Sequence, residues 1–145
     1  MDSDLKNAIT ILKTGGFTCV LCKGARVCSS SLRGVKPLLN WLDDGTDLMG
    51  FSAADKVVGR GAAFLYRLLG VRRVHACVIS VPAVKVLRAG GVEVTWDCLT
   101  EGIRNRDNTG PCPIEAATTG ITEPEEGLIA IRATLHQLEK SEQRK

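Results

Sequence analysis

The chain has 145 residues, 44% of them hydrophobic and 24% charged. That is the size and make-up of one ordinary domain, able to bury about two thirds of its unfolded surface, and it excludes disordered, fibrous and collagen-like chains. Lys and Arg number 19 against 16 Asp and Glu, a formal charge of +3 with the signs interspersed. The aromatics are 4% and scattered singly, so nothing supports a phosphate-tracking or base-stacking surface for nucleic acid.

In chain order, Leu5, Ala8, Ile9 and Leu12 recur at helical spacing, with Ser3 as N-cap and Gly15 and Gly16 as the stop. Phe17 to Cys22 and Ala25 to Ser29 are β-rich runs, and Lys23-Gly24 between them predicts a tight hairpin. Val35-Lys36-Pro37 leads into a short helix of Leu38, Leu39, Trp41 and Leu42, a lid or packing insert ended by Asp43-Asp44-Gly45. Ser52 then predicts the cap of a central helix whose stripe includes Ala54, Val57, Val58, Gly61, Ala62 and Leu65, stopping at Gly70. Val71 to Ile79 reads as a strand, Ser80 to Ala89 as a helix with Pro82 in its first turn, and Val92 to Trp96 as another strand. Leu99 to Ile121 has no sustained periodicity, which in a small domain marks a functional or irregular segment. Thr122 with Glu125 has capping-box spacing for a last helix, striped by Leu128, Ile131, Leu135 and Leu138, with Lys140 to Lys145 fraying. Strands alternating with helices after an antiparallel pair predict an α/β domain: a three-layer α/β/α sandwich on a mixed sheet of at least four strands.

The Met1-Asp2-Ser3-Asp4 start has no basic flank, and no apolar run approaches the roughly 18 residues a membrane span needs, so a bacterial or archaeal cytoplasm is the expected compartment and no membrane partner is expected. Six cysteines there would be reduced, most of them packed as small hydrophobes. Cys19 and Cys22 have the spacing of a redox or zinc half-site, but on a strand they point to opposite faces, which favours a structural role. With Lys23-Gly24 as the turn, Cys22 would face Ala25 and Cys19 would face Cys28.

Five stretches carry a resemblance: Thr18-Cys19-Val20-Leu21-Cys22-Lys23, Gly34-Val35-Lys36-Pro37-Leu38-Leu39, Ala54-Asp55-Lys56-Val57-Val58-Gly59, Val78-Ile79-Ser80, and Asn105-Arg106 with Gly110 and Cys112-Pro113-Ile114-Glu115. Together they resemble an uncharacterised prokaryotic family with a cytidine deaminase-like fold, over nearly the whole chain. The resemblance implies the fold and no established activity. Working zinc deaminases place a His or Cys with a Glu at the start of the central helix, and two Cys at the start of the next. Ala54-Asp55-Lys56 and Val81-Pro82-Ala83-Val84 stand at the corresponding places, so no metal site and no cofactor is expected.

Read as a helix start, Ser52 to Asp55 is a capping box, and Lys56 opposes the helix dipole unless an anion lies beside it. An anion held there by free N–H groups, Lys56 and Arg106 is therefore expected. Gly59 and Gly61 inside that helix would each cost about 1 kcal/mol, which calls for close packing or close approach of a ligand. Cys112, between two prolines, is the best nucleophile candidate, with Asn105, Arg106 and Glu115 as a polar cluster around it. Three hypotheses follow. The leading one is a small polar or anionic, nucleotide-like ligand bound by Lys56, Ser80, Asn105, Arg106 and Glu115. The second is a zinc-independent enzyme using Cys112, or Asp55 and Lys56 as an acid-base pair. The third is a non-catalytic module whose apolar face pairs with another protein or in a homo-oligomer.

Overall fold

The computed structural model describes residues 3–105 and 108–143. Six helices and five strands are placed among them: α1 (Ser3–Thr14), β1 (Cys19–Lys23), β2 (Arg26–Ser30), α2 (Lys36–Asp44), β3 (Ser52–Val58), α3 (Arg60–Leu69), β4 (Arg73–Ser80), α4 (Val81–Ala89), β5 (Glu93–Thr100), α5 (Pro113–Ala117) and α6 (Pro124–Gln143). The sheet runs β2-β1-β3-β4-β5, with β1 antiparallel to both its neighbours, β2 and β3, and with β3, β4 and β5 parallel. Helix α1 packs on β1 and β3 on one face; α2 and α6 pack on α3 on the other side, and α4 beside α3 and β5. The expected three-layer mixed α/β sandwich is therefore the architecture.

Ser52–Val58 is a central strand and not the start of the central helix. Ser52, Ala53, Ala54 and Asp55 are all buried, because this strand lies between β1 and β4 with helices on both faces. A strand buried on both faces shows no alternation, so its small residues mimicked a helical stripe. Val57 is 47% exposed while Val58 is fully buried, and Gly59 then turns the chain into α3 as its extended N-cap. The capping box at Ser52 is accordingly not formed at a helix end.

The hairpin turn is Gly24-Ala25, not Lys23-Gly24, since Lys23 pairs with Arg26. Gly24 supplies the positive φ of 59° that the turn requires. That one-residue change puts Cys22 opposite Val27, Leu21 opposite Cys28 and Cys19 opposite Ser30. All six cysteines are free; Cys19 and Cys22 are buried in the two cores, Cys28 and Cys77 are half-buried and pack against them, and Cys98 is exposed. Helix α2 is a packing insert, burying Pro37, Leu38 and Leu39. Strand β5 runs four residues beyond Trp96, and the irregular segment contains a bridge between Arg104 and Pro111 and then α5. Helix α6 starts at Pro124, two residues past Thr122, and stays helical to Gln143; its buried stripe ends before Leu138, which is exposed.

The larger core lies on the α3 side and includes Phe51, Phe64, Tyr66, Ile79 and Leu87. A smaller one under α1 joins Ala8 and Leu12 to Val20, Cys22 and Ala54. Both converge on β3, whose alanines let a helix approach from each side.

Candidate functional site

The carboxyl ends of β3 and β4, where open α/β folds receive ligands, carry the starts of α3 and α4. Ser80 caps α4: its Oγ accepts from Ala83 N at 3.2 Å and donates to Glu115 Oε1 at 3.1 Å. Glu115 Oε1 also accepts from Arg60 N, the first residue of α3, at 3.0 Å. Its Oε2 accepts from Ile103 N at 3.0 Å. Gly59 offers α3 no side-chain cap, so a carboxylate from 55 residues away supplies it.

Both glycines are explained by this junction. A Cβ on Gly59 would lie 2.9 Å from Glu115 Oε2, and one on Gly61 would collide with Ile114. Neither sits in mid-helix as expected; one is the N-cap and the other lies in the first turn. The close approach they permit is that of the chain's own segment. Arg60 fastens the far end of that segment, donating from Nε to Thr118 O at 3.0 Å and from Nη2 to Ile121 O at 2.6 Å.

Asp55 lies elsewhere, turned into the core. Tyr66 O–H donates to its Oδ2 at 2.7 Å, Val57 N to its Oδ1 at 3.2 Å, and Cys19 Sγ stands 3.1 Å from the Tyr66 oxygen. With the tyrosine proton spent on Asp55, the thiol is left as donor. Burial raises the Asp55 pKa to about 7 against the pull of these hydrogen bonds. Burial first, and then the Asp55 charge, raise the Cys19 thiol and the Tyr66 phenol well above their ordinary values. Lys56, the next residue on the strand, is exposed. Adjacent strand residues face opposite ways, so Asp55 and Lys56 do not form a facing acid-base pair, and Lys56 is not in a helix.

Of the other candidates, Ser80 and Glu115 are in direct contact. Cys112 is half-buried, N-caps α5 and donates its backbone N–H to Ile103 O at 2.8 Å. Asn105 is spent on a turn, its Oδ1 accepting from Thr109 N and its Nδ2 donating to Thr109 Oγ1. Arg106 lies outside the described residues. Sequence reasoning missed Tyr66, Ile103 and Arg104. A lone tyrosine in an apolar helical stripe was the only signal for the first, because a buried hydroxyl needs a partner; for a backbone donor such as Ile103 there was none.

Beside the junction opens a cleft of about 510 Å³, lined by Thr100, Glu101, Ile103, Arg104 and Pro111 among others. Arg104 is oriented there by Asn108, which accepts from its Nε at 2.8 Å and from its Nη2 at 3.1 Å. A second groove of about 570 Å³ lies between α2 and α6, crossed by the exposed Arg132–Asp43 pair at 2.7 Å. Neither histidine reaches the junction: His136 lines that second groove, and His75 on β4 bonds Thr95 and lies 3.3 Å from Asp97.

Residues 7–135 match the family model described as TM1506, domain of unknown function (DUF1893). A solved DUF1893 family protein (TM1506) from Thermotoga maritima is 26% identical, with a TM-score of 0.82 over 94% of this chain and 91% of that chain. A diaminohydroxyphosphoribosylaminopyrimidine deaminase/5-amino-6-(5-phosphoribosylamino)uracil reductase from the same organism matches at 18% identity and a TM-score of 0.42, over 66% of this chain and 35% of that one. No curated protein sequence matches.

Proposed function

The chain belongs to the DUF1893 family, a domain of unknown function, and we propose that it binds a small polar or anionic molecule in the cleft lined by Thr100 to Arg104 and Pro111 at the end of β5. The observation that carries this reading is the cleft itself. Its volume of about 510 Å³ falls within the roughly 300 to 1,000 Å³ of small-molecule pockets. It also opens at the carboxyl ends of the parallel strands, the favoured end in open sheets. Arg104, held in one orientation by Asn108, is the group on its wall suited to a carboxylate or phosphate. A nucleotide-like ligand is the form that fold analogy suggests.

Binding is preferred to catalysis because the acid-base candidates are committed elsewhere. Asp55 is bonded to Tyr66 in the core, and Glu115 accepts from Arg60, Ser80 and Ile103, which leaves neither oriented as a base toward Cys112. Thermal shift against phosphate, sulfate and nucleoside monophosphates tests the reading. A ligand at about 100 times its dissociation constant adds roughly 2.7 kcal/mol. Stabilisation by one of these that is lost in Arg104→Ala supports the cleft; no shift with any, or an equal shift in Arg104→Ala, refutes it.

A further inference from the structure

Working zinc deaminases hold a metal between the helix starts that correspond to those of α3 and α4, and the residues here do not fit one. Gly59, Arg60 and Gly61 stand at the first start and Ser80 to Ala83 at the second, with no thiolate or imidazole in either. No group of three or more His, Cys, Asp or Glu side chains among the described residues could hold a metal ion. The polarity is also reversed. A zinc site directs lone pairs inward, whereas here Arg60 N, Ser80 Oγ and Ile103 N all direct protons inward, onto Glu115. Two helix starts add partial positive charge on the same side. The surroundings are built for an anion.

We propose that Glu115 replaces the metal as the tie between these two helices. It is an anion carried on the chain itself, capping α3, holding the Ser80 cap of α4, and fixing Ile103 just past the end of β5. Three features converge on this role. Glu115 is 7% exposed and Ser80 wholly buried, so their hydrogen bonds are shielded from water. The chain lacks a side chain at Gly59, where a Cβ would press on the carboxylate, and at Gly61, where it would strike Ile114 from the preceding position of the same segment. Arg60 binds the carbonyls of Thr118 and Ile121, so one helix start holds the segment by both its backbone and its side chain. The role is independent of what the neighbouring cleft binds.

Amide hydrogen exchange resolved to single residues, together with melting of the full-length protein, tests the proposal. In Glu115→Ala the Arg60 and Ile103 amides should exchange at least about tenfold faster, while those at the β1–β3 pairing stay protected. The melting midpoint should fall by about 5 °C or more. Sodium formate, which can refill a carboxylate-sized hole, should restore part of both effects in the variant; sodium chloride at equal ionic strength should not. If Glu115→Ala does not fold, Glu115→Gln is read instead. Its carboxamide keeps one acceptor oxygen, so protection should drop at one of the two amides and persist at the other. Unchanged exchange at both amides overturns the proposal, as does failure of formate to act where Glu115→Ala does fold. A stoichiometric zinc that protects these amides in the unmodified protein also overturns it.

Discussion

Asp55 is the residue at which burial and charge conflict most. An aspartate in the unfolded chain ionises near its ordinary value of 3.8, while burial holds the proton on the native one to about pH 7. The folded pKa is the higher, so its contribution is fully present below about pH 4, falls as the unfolded chain ionises, and is lost by the time pH passes 7. The stability removed between those limits is on the order of a few kcal/mol. Exposed Asp43 and Asp97, whose carboxyls are lowered by Arg132 and Lys13 respectively, act in the opposite sense at lower pH. The prediction is therefore made as a difference: Asp55→Asn should lose the decline between pH 4 and 7 and be the more stable form at pH 8. Urea midpoints at pH 5 and pH 8 decide this, and parallel pH profiles for the two proteins would show that Asp55 titrates normally.

Among the elements, legibility followed periodicity. Helices α1 and α4 were readable because one face of each is buried and a cap or glycine marks the end, and strand β4 by its β-branched residues Val74, Val78 and Ile79. The hairpin was readable but for its register, which one residue of turn placement decides. Strand β3 was not, since burial on both faces erases alternation, and Ala53 and Ala54 carry no β-branch to betray it. Gly59-x-Gly61 was visible as an anomaly, yet its cause lies in residues 114 and 115, beyond any local window. That explanation is open to a double-mutant cycle. Gly61→Ala gains about 1 kcal/mol of helix propensity but meets Ile114, and overpacking of this kind costs about 1 to 3 kcal/mol. A net loss of about 1 kcal/mol is expected, and Gly61→Ala with Ile114→Ala should cost less than the two single changes added together. Strict additivity by chemical denaturation would mean that the two sites do not touch.

For the whole molecule, the resemblance visible in short motifs corresponds to a family match across residues 7–135, and the mixed sheet with helices on both faces is as expected. Ser80 and Glu115 were visible singly in the sequence and their contact was not; Asn105 bonds Thr109, Cys112 caps α5 and bonds Ile103 through its backbone, and Lys56 is exposed on β3. No helix among the described residues is long and apolar enough to cross a membrane.

The bond from Glu115 to Arg60 spans 55 residues of chain, and that separation has a kinetic consequence. Closing so long a loop is entropically costly before the sheet exists and cheap after it, because β3, β4 and α3 have by then brought both ends near. The segment should thus dock after the rate-limiting step, leaving its contacts absent from the transition state. Ile114→Val, expected to cost about 0.5 to 1.5 kcal/mol, should leave the refolding arm of a chevron plot in place and raise the unfolding rate by nearly the full amount. A slowed refolding arm would put the segment in the nucleus. If it does dock last, it is also the first part to leave, and stability lost from this strap shortens the life of the native protein nearly in full, because its release must precede the step at which the sheet gives way.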